Sequence, residues 1–275
     1  MSDRAQIGRR GLEAGLVKGL TLLLLVLLLA PIAMVVVMSF TAGTTLQFPP
    51  PGLSLRWYDE VWTLLTGPEA ASARLGESLL VSLEIAAATA IVCVLAGVPA
   101  AYALVRLRFR GRALAEELLG LPVVFPSVVL GVALLMLVSQ SGLDLGIAQI
   151  VAAHAIVGLP FMVRNCVAAL HGIDPLLQEA AKTLGASPLR AFTAIVLPLA
   201  RQGIVSGALL VFIISFNEFT LSYFLYTVDV FPLPIWLFQQ SNTSFSPAIF
   251  AVSTLSIVIT VGVIFAVDLL TERKR

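Results

Sequence analysis

The sequence predicts an all-α membrane protein with six membrane-spanning helices and both termini in the cytoplasm. Of the 275 residues, 59% are apolar and only 12% are charged, and the mean hydropathy is +0.99. This charged fraction is about half that of a soluble domain, so a lipid bilayer is the expected solvent. Six apolar segments are each long enough to cross ~30 Å of hydrocarbon as a helix. They are residues 18–40, 78–105, 117–140, 146–168, 203–225 and 248–270.

The basic residues predict the orientation of these spans. Lys and Arg are retained on the cytoplasmic side of a membrane, whereas acidic residues have little influence. Of the 17 basic residues, all but Arg56 and Arg74 fall on one side of the predicted spans. Both termini and the connection at 173–198 are therefore expected in the cytoplasm.

The chain is expected to form a single domain. We predict a cytoplasmic N-terminal tail at 1–17, a six-helix transmembrane domain at 18–270 and a cytoplasmic tail at 271–275. The first apolar run is longer than the apolar region of a cleaved signal and has no clear small-x-small site, which favours an uncleaved anchor.

The connections between the spans differ in length and content. The first, at about 41–77, contains Trp57, Tyr58 and Trp62, and such aromatic residues favour a membrane interface. It forms either a short helix on the outer surface or an ordered loop. The third and fourth spans are so close in sequence that they form a tight antiparallel pair. The connection at about 226–247 is expected to be an outer loop, either plain or re-entrant.

The connection at 173–198 begins with a short helix. Asp174 followed by Pro175 is a start signal, because the carboxylate accepts from free backbone amides and the proline already has a helical φ. Gly185 predicts the end of this helix. Helical spacing then separates an apolar stripe from a polar one. The apolar stripe is Leu176, Leu177, Ala180, Ala181 and Leu184, and the polar one is Gln178, Glu179, Lys182 and Thr183.

A second start signal follows at Ser187 and Pro188, and predicts another helix that is interrupted at Pro198. Two interpretations of the whole connection remain open from the residues alone. It is either an interfacial segment that covers the membrane surface or a docking element for another protein. The narrow, alanine-rich stripe favours docking, since lipid binding usually involves large aromatic residues and a basic polar face.

The same connection contains a spaced motif. A Glu-Ala-Ala run is followed by Gly four residues later and by Ile-x-Leu-Pro after nine more. The residues are Glu179, Ala180, Ala181, Gly185, Ile195, Leu197 and Pro198. This pattern resembles the signature of the integral membrane subunits of binding-protein-dependent ABC importers, and the similarity extends from about residue 75 to the C-terminus. Within that family, the run from Leu233 to Trp236 makes the chain most similar to the second permease subunit of spermidine/putrescine-type systems.

The resemblance implies a fold, a location and partners. It implies the fold of a type I importer permease, in a multi-pass protein of the cell inner membrane that carries a small polar solute, with a polyamine favoured. The chain has no Gly-x-x-x-x-Gly-Lys-Ser/Thr loop, so ATP and Mg²⁺ are expected in a partner and no cofactor in this chain. The implied partners are two copies of an ATP-binding subunit, a second, similar permease and an extracytoplasmic solute-binding protein. No nucleic acid is expected.

The motif residues are expected to couple the chain to the ATPase. By resemblance, the helix at about 175–184 docks in a cleft of the ATPase. Glu179 then supplies a charged contact or caps the docked helix, Ala180 and Ala181 permit close approach, and Gly185 forms the turn. No catalytic or metal-binding residue is assigned.

Asn217 and Glu218 are the candidates for the solute pathway. A charge within a span usually faces a cavity or a partner, so Glu218 either lines the pathway or makes an interhelical bond. Relatives often carry Asp at the position of Asn217.

Two other protein classes compete with the importer subunit. A secondary transporter or channel would need ion-coupling groups, and an intramembrane enzyme would need a catalytic pair; His154 is better explained as a packed or interfacial residue.

Overall fold

The structure is a computed structural model that describes residues 2–68, 73–142, 145–243 and 246–272. It is helical, with no strand in these ranges and a single isolated bridge between Thr41 and Leu53. The helices in chain order are α1 (Ser2–Ser39), α2 (Arg56–Thr66), α3 (Leu75–Arg106), α4 (Arg112–Val124), α5 (Ser127–Ser141), α6 (Ile147–His171), α7 (Pro175–Thr183), α8 (Pro188–Ala191), a π-helix (Phe192–Val196), α9 (Leu197–Phe216), α10 (Thr220–Leu225), α11 (Leu233–Thr243) and α12 (Ala248–Glu272).

The all-α membrane fold is confirmed. Five helical stretches in the described ranges are long and apolar enough to cross a membrane, and the number is six if α4 and α5 count as one span. These two helices form the predicted third span, but they meet at an angle of 100°. The break falls at Phe125, whose extended backbone (ψ 139°) precedes Pro126. A residue before proline is pushed out of the helical region, which explains the bend.

The predicted interruption at Pro198 is wrong. The helical stretch from Pro188 to Phe216 is continuous. The π-helix lies directly before the proline, and the Leu197 amide donates to the Phe192 carbonyl five residues back. A proline lacks the N–H of the helical ladder and its ring crowds the preceding turn. Widening that turn to a π-helix accommodates Pro198 within a continuous helix.

Three other segments add detail to the predicted topology. α1 begins at Ser2, so the helix includes most of the predicted tail at 1–17. α2 shows that the first connection contains a short helix, as one of the two interpretations proposed. The connection at 226–247, predicted as an outer loop that is plain or re-entrant, contains the whole of α11. The predicted tail at 271–275 lies largely outside the described residues.

The described residues divide into two compact units. One contains residues up to 68 together with 240–258. In it, the indole Nε1 of the buried Trp57 donates to the Thr41 carbonyl at 2.8 Å, and the hydroxyls of Ser39 and Tyr58 are 2.8 Å apart. These contacts fix α2 against the end of α1.

The second unit contains residues 73–239 and those from 259 onward. Its centre is formed by α3, α6 and α9, which pack around buried residues such as Met162. Glycines permit this close approach. A Cβ added to Gly97 would lie 2.7 Å from Met162 Cγ, and one added to Gly203 would overlap Ala169. Small residues at such contacts are typical of packing between membrane helices.

Arg74 stabilises the beginning of α3 in this unit. Its guanidinium donates to Glu77 at 2.9 and 3.2 Å and to the Val228 carbonyl at 2.6 Å, and it lies 5.0 Å from the centre of the Phe231 ring. The hydrogen bond to Glu77 also raises the pKa of the Arg74 guanidinium.

Candidate functional site

Both predicted ends of α7 are confirmed by their hydrogen bonds. The Asp174 carboxylate accepts from the Leu176 amide at 2.9 Å, and Pro175 is the first helical residue. At the other end Gly185 has a φ of +89°. Its amide donates to the Lys182 carbonyl at 2.9 Å, and the next amide, of Ala186, donates to Ala181 at 3.0 Å. This is the Schellman pattern, in which glycine adopts the left-handed conformation that ends a helix.

The leucines of α7 and its neighbours face outward. Leu176, Leu184 and Leu189 are 71%, 89% and 72% exposed. Gln178, which the sequence placed on the polar stripe, is instead buried, and its Nε2 donates to the Tyr102 hydroxyl at 2.5 Å. Gln178 faces inward because Tyr102 is its hydrogen-bond partner. The leucines are left on the surface. The single chain therefore presents an apolar surface at this segment.

The Glu-Ala-Ala run lies on the same short helix. Glu179 is exposed, and its carboxylate accepts from Lys182 Nζ at 3.0 Å. An exposed ion pair of this kind contributes about 0.5 kcal/mol or less, so it is readily exchanged for another partner. Ala180 is exposed and Ala181 is half-buried.

The Ile-x-Leu-Pro part of the motif lies apart from that run, where the π-helix joins α9. Ile195 is half-buried, while Leu197 and Pro198 are exposed. The π-helix and α8 both pack against α7. The seven motif residues therefore form one connected segment, in which the start of a spanning helix supports the short helix α7.

Asn217 and Glu218 lie at a break between α9 and α10. Asn217 is exposed, and its Nδ2 donates to the Ile213 carbonyl at 2.9 Å. Glu218 is half-buried, and its Oε1 accepts from the Leu221 amide at 3.0 Å. That bond caps the first turn of α10, so the carboxylate has a local structural partner and its second oxygen remains for other contacts.

His154 supports this break from α6. Its Nδ1 lies 2.8 Å from the Ser215 hydroxyl at the end of α9, and its Nε2 lies 3.1 Å from the Ser222 hydroxyl in α10. The ring is only 3% exposed, which confirms the prediction of a packed histidine. Its bridging position was not predicted, since the sequence has no signal that relates a residue to two serines more than 60 positions away.

Aromatic rings surround the start of α10. The ring centres of Phe219, Tyr223 and Phe238 are 5.1 to 5.6 Å from one another. Tyr226 lies 6.2 Å from Tyr223. Tyr223 and Phe238 are about two-fifths exposed, so the cluster presents ring surface near the start of α10. Within the described residues, no group of three or more His, Cys, Asp or Glu side chains is arranged to hold a metal ion.

Comparison with known proteins identifies the family. The model of the binding-protein-dependent transport system inner membrane component matches residues 93–275, which is more than half of the chain. The chain belongs to this family. The spermidine/putrescine transport system permease protein PotC of Haemophilus influenzae is 32% identical over 81% of this chain and 84% of its own length. The molybdate/tungstate transport system permease protein WtpB of Pyrococcus abyssi is 39% identical over 52% of this chain and 57% of its own.

A solved structure shows the same fold. The crystal structure of a bacterial ABC transporter that imports the acidic polysaccharide alginate contains a chain with a TM-score of 0.68 to this one, at 20% identity. The match covers 94% of this chain and 97% of the other. The chain is therefore a permease subunit of an ABC importer in the inner membrane, and it is not an enzyme.

Proposed function

We propose that this chain forms half of the translocation path for a small polar solute, with a polyamine-like cation favoured, and that α7 couples it to a separate ATPase. The ATPase binds ATP and Mg²⁺, and this chain needs no cofactor of its own. The complete importer contains two copies of the ATP-binding subunit, a second, similar permease and an extracytoplasmic solute-binding protein, all assembled on this membrane-embedded chain.

The exposed leucines carry the coupling proposal. Leu176, Leu184 and Leu189 project from the connection at 173–198, which lies next to basic residues. This positive charge predicts the cytoplasm. Fully burying a leucine side chain contributes about 1.5 to 3 kcal/mol. An apolar surface on a short, capped helix is suited to a groove in a partner protein. The same orientation puts both termini in the cytoplasm.

The motif residues have separate roles in this docking. Glu179 exchanges its weak ion pair with Lys182 for a contact with the ATPase. Ala180 and Ala181 allow the partner backbone to approach, and Gly185 ends α7 in a fixed direction. Ile195, Leu197 and Pro198 join the docking segment to α9, so that movement of α7 reaches a spanning helix.

A cationic solute is favoured by the groups around the break at 217–219. Glu218 provides a carboxylate, and Asn217 an exposed amide. The ring faces of Tyr223 and Phe238 attract cations through their π electrons. PotC, named for two polyamines, matches over most of the chain, whereas WtpB, named for two anions, matches over about half. Both observations favour a polyamine-like solute.

Copurification tests the coupling proposal. The chain is purified in mild detergent from its native host, and the bound proteins are identified by mass spectrometry. We expect an ATP-binding subunit and a second permease with the natural chain. A Leu184→Ser, Leu189→Ser double variant should lose at least about tenfold of the ATP-binding subunit, because two leucines lose their buried contacts.

The matched control is Leu53→Ser, which changes an equally exposed leucine (76%) on the predicted outer connection. It should leave the recovery of the ATP-binding subunit unchanged. Equal recovery with the double variant would show that these leucines are not the docking surface. A natural chain that recovers no ATP-binding subunit would contradict the proposal as a whole.

A further inference from the structure

The last turn of α3 contacts the coupling segment, residues 173–198, through two side chains. Tyr102 and Arg106 are four residues apart and therefore share one face of the helix. Arg106 contacts the end of α6 and the short connection after it, and Tyr102 contacts α7. The contacts therefore lie before, within and after the three residues, 172–174, that join α6 to α7.

Arg106 holds the end of α6. Its Nη2 donates to the Leu170 carbonyl at 3.1 Å and to the Ile173 carbonyl at 2.6 Å. Both of these residues are buried. The Leu170 carbonyl, in the last turn of α6, also accepts from the Ile173 amide at 3.3 Å. The end of a helix carries partial negative charge, so a cation placed there is favourable. The planar guanidinium therefore fixes the direction in which the chain leaves α6.

Tyr102 holds α7 from the same face of α3. Its hydroxyl accepts the hydrogen bond from Gln178, which is the one buried side chain of α7. Its ring also packs edge-on against Phe192, at 4.8 Å between centres, where the π-helix begins. One side chain therefore joins α3 to both helical parts of the coupling segment.

We infer that Tyr102 and Arg106 are positioning residues that transmit displacement of α7 to the spanning helix α3. The three-residue connection begins with Gly172, so it can absorb a displacement of α7 by rotating its backbone. The hydrogen bonds to Leu170, Ile173 and Gln178 lie before, within and after the connection and oppose that rotation. As a result, α7, the end of α6 and the end of α3 move together. The inference rests on the proposed function, since it requires that the ATPase displaces α7.

Hydrogen exchange of the assembled complex tests this inference without knowledge of the solute. The chain is purified with its ATP-binding subunit in lipid nanodiscs, and amide exchange is compared without nucleotide and with ATP plus vanadate. In the natural chain we expect ATP to change the exchange of both 176–184 and 100–107. Tyr102→Phe removes only the hydroxyl, and Arg106→Lys keeps the charge but replaces the Nη2 group, which donates to both carbonyls, with a shorter side chain.

Both variants should keep the response at 176–184 and lose at least about half of the response at 100–107, because loss of one hydrogen bond shifts a local equilibrium by roughly two- to tenfold. Two matched controls should leave both responses unchanged. Tyr58→Phe removes a tyrosine hydroxyl that pairs with Ser39 in the other unit, and Arg108→Lys changes an exposed arginine two residues beyond Arg106.

The outcomes separate the inference from the proposed function. No response at 176–184 in the natural chain would contradict docking by α7 and with it the proposed function. A response at 176–184 with an unaltered response at 100–107 in both variants would leave docking in place and overturn the role of Tyr102 and Arg106. A natural chain that responds at 176–184 but not at 100–107 would overturn it as well.

Discussion

Replacement of Gly185 by alanine should weaken coupling through backbone strain alone. The residue has a φ of +89°, and a Cβ added there meets no atom within 4 Å. No clash therefore results, and the cost is that of holding an L-residue in the left-handed region, about 1 to 2 kcal/mol. That free energy corresponds to a factor of roughly 5 to 30 in the population of the native turn. When the turn opens, α7 loses the two hydrogen bonds, from the Gly185 and Ala186 amides, that close its last turn. The direction of Leu184 and Leu189 then changes.

The assay is recovery of the ATP-binding subunit with the purified chain, together with the amount of chain inserted in the membrane. We expect a 5- to 30-fold loss of recovery for Gly185→Ala, with unchanged insertion. Gly185→Asn should retain most of the recovery, because asparagine tolerates this conformation. Gly262→Ala is the matched control, since its Cβ also meets nothing and its φ is ordinary. If Gly185→Ala behaved like Gly262→Ala, the strain argument would be refuted.

Two further predictions concern packing and the solute pathway. Gly203→Leu should lower the free energy of unfolding in detergent by about 1 to 3 kcal/mol, because even the Cβ of the new side chain would overlap Ala169. The measurement is the melting temperature of the purified chain. An unchanged value would contradict the close approach of α6 and α9. Glu218→Gln keeps the oxygen that accepts from Leu221 but removes the charge, so it should reduce energy-dependent spermidine uptake while leaving stability unchanged. Glu218→Ala should reduce both, and equal uptake by the natural chain and Glu218→Gln would exclude a role for the charge.

Much of the fold is predictable from local sequence. Long apolar runs locate the spans, because a helix must satisfy its backbone groups internally within hydrocarbon. The start of α7 at Asp174 and its end at Gly185 are predictable for a similar reason. Each depends on hydrogen bonds between residues at most five positions apart. The orientation of the spans follows from the basic residues and remains a prediction.

The breaks in the helices were less predictable. Proline was expected to interrupt a helix at Pro198, yet the helix continues through a π turn, while Pro126 accompanies a bend of 100°. The same residue type therefore has two outcomes. Only the structure distinguishes them: Phe125 before Pro126 is extended, whereas the turn before Pro198 widens to a π-helix.

The sequence alone therefore determined the membrane class, the positions of the spans and both ends of α7 with their caps. Only the tertiary structure decided which way α7 faces. Gln178 turns inward because it meets Tyr102, 76 residues earlier in the chain, and the leucines consequently face outward. His154 likewise spans the break between α9 and α10 only because α6 packs beside it. Caps and hydropathy depend on neighbours within a few residues, whereas the partner of a buried polar side chain is set by the packing of distant helices.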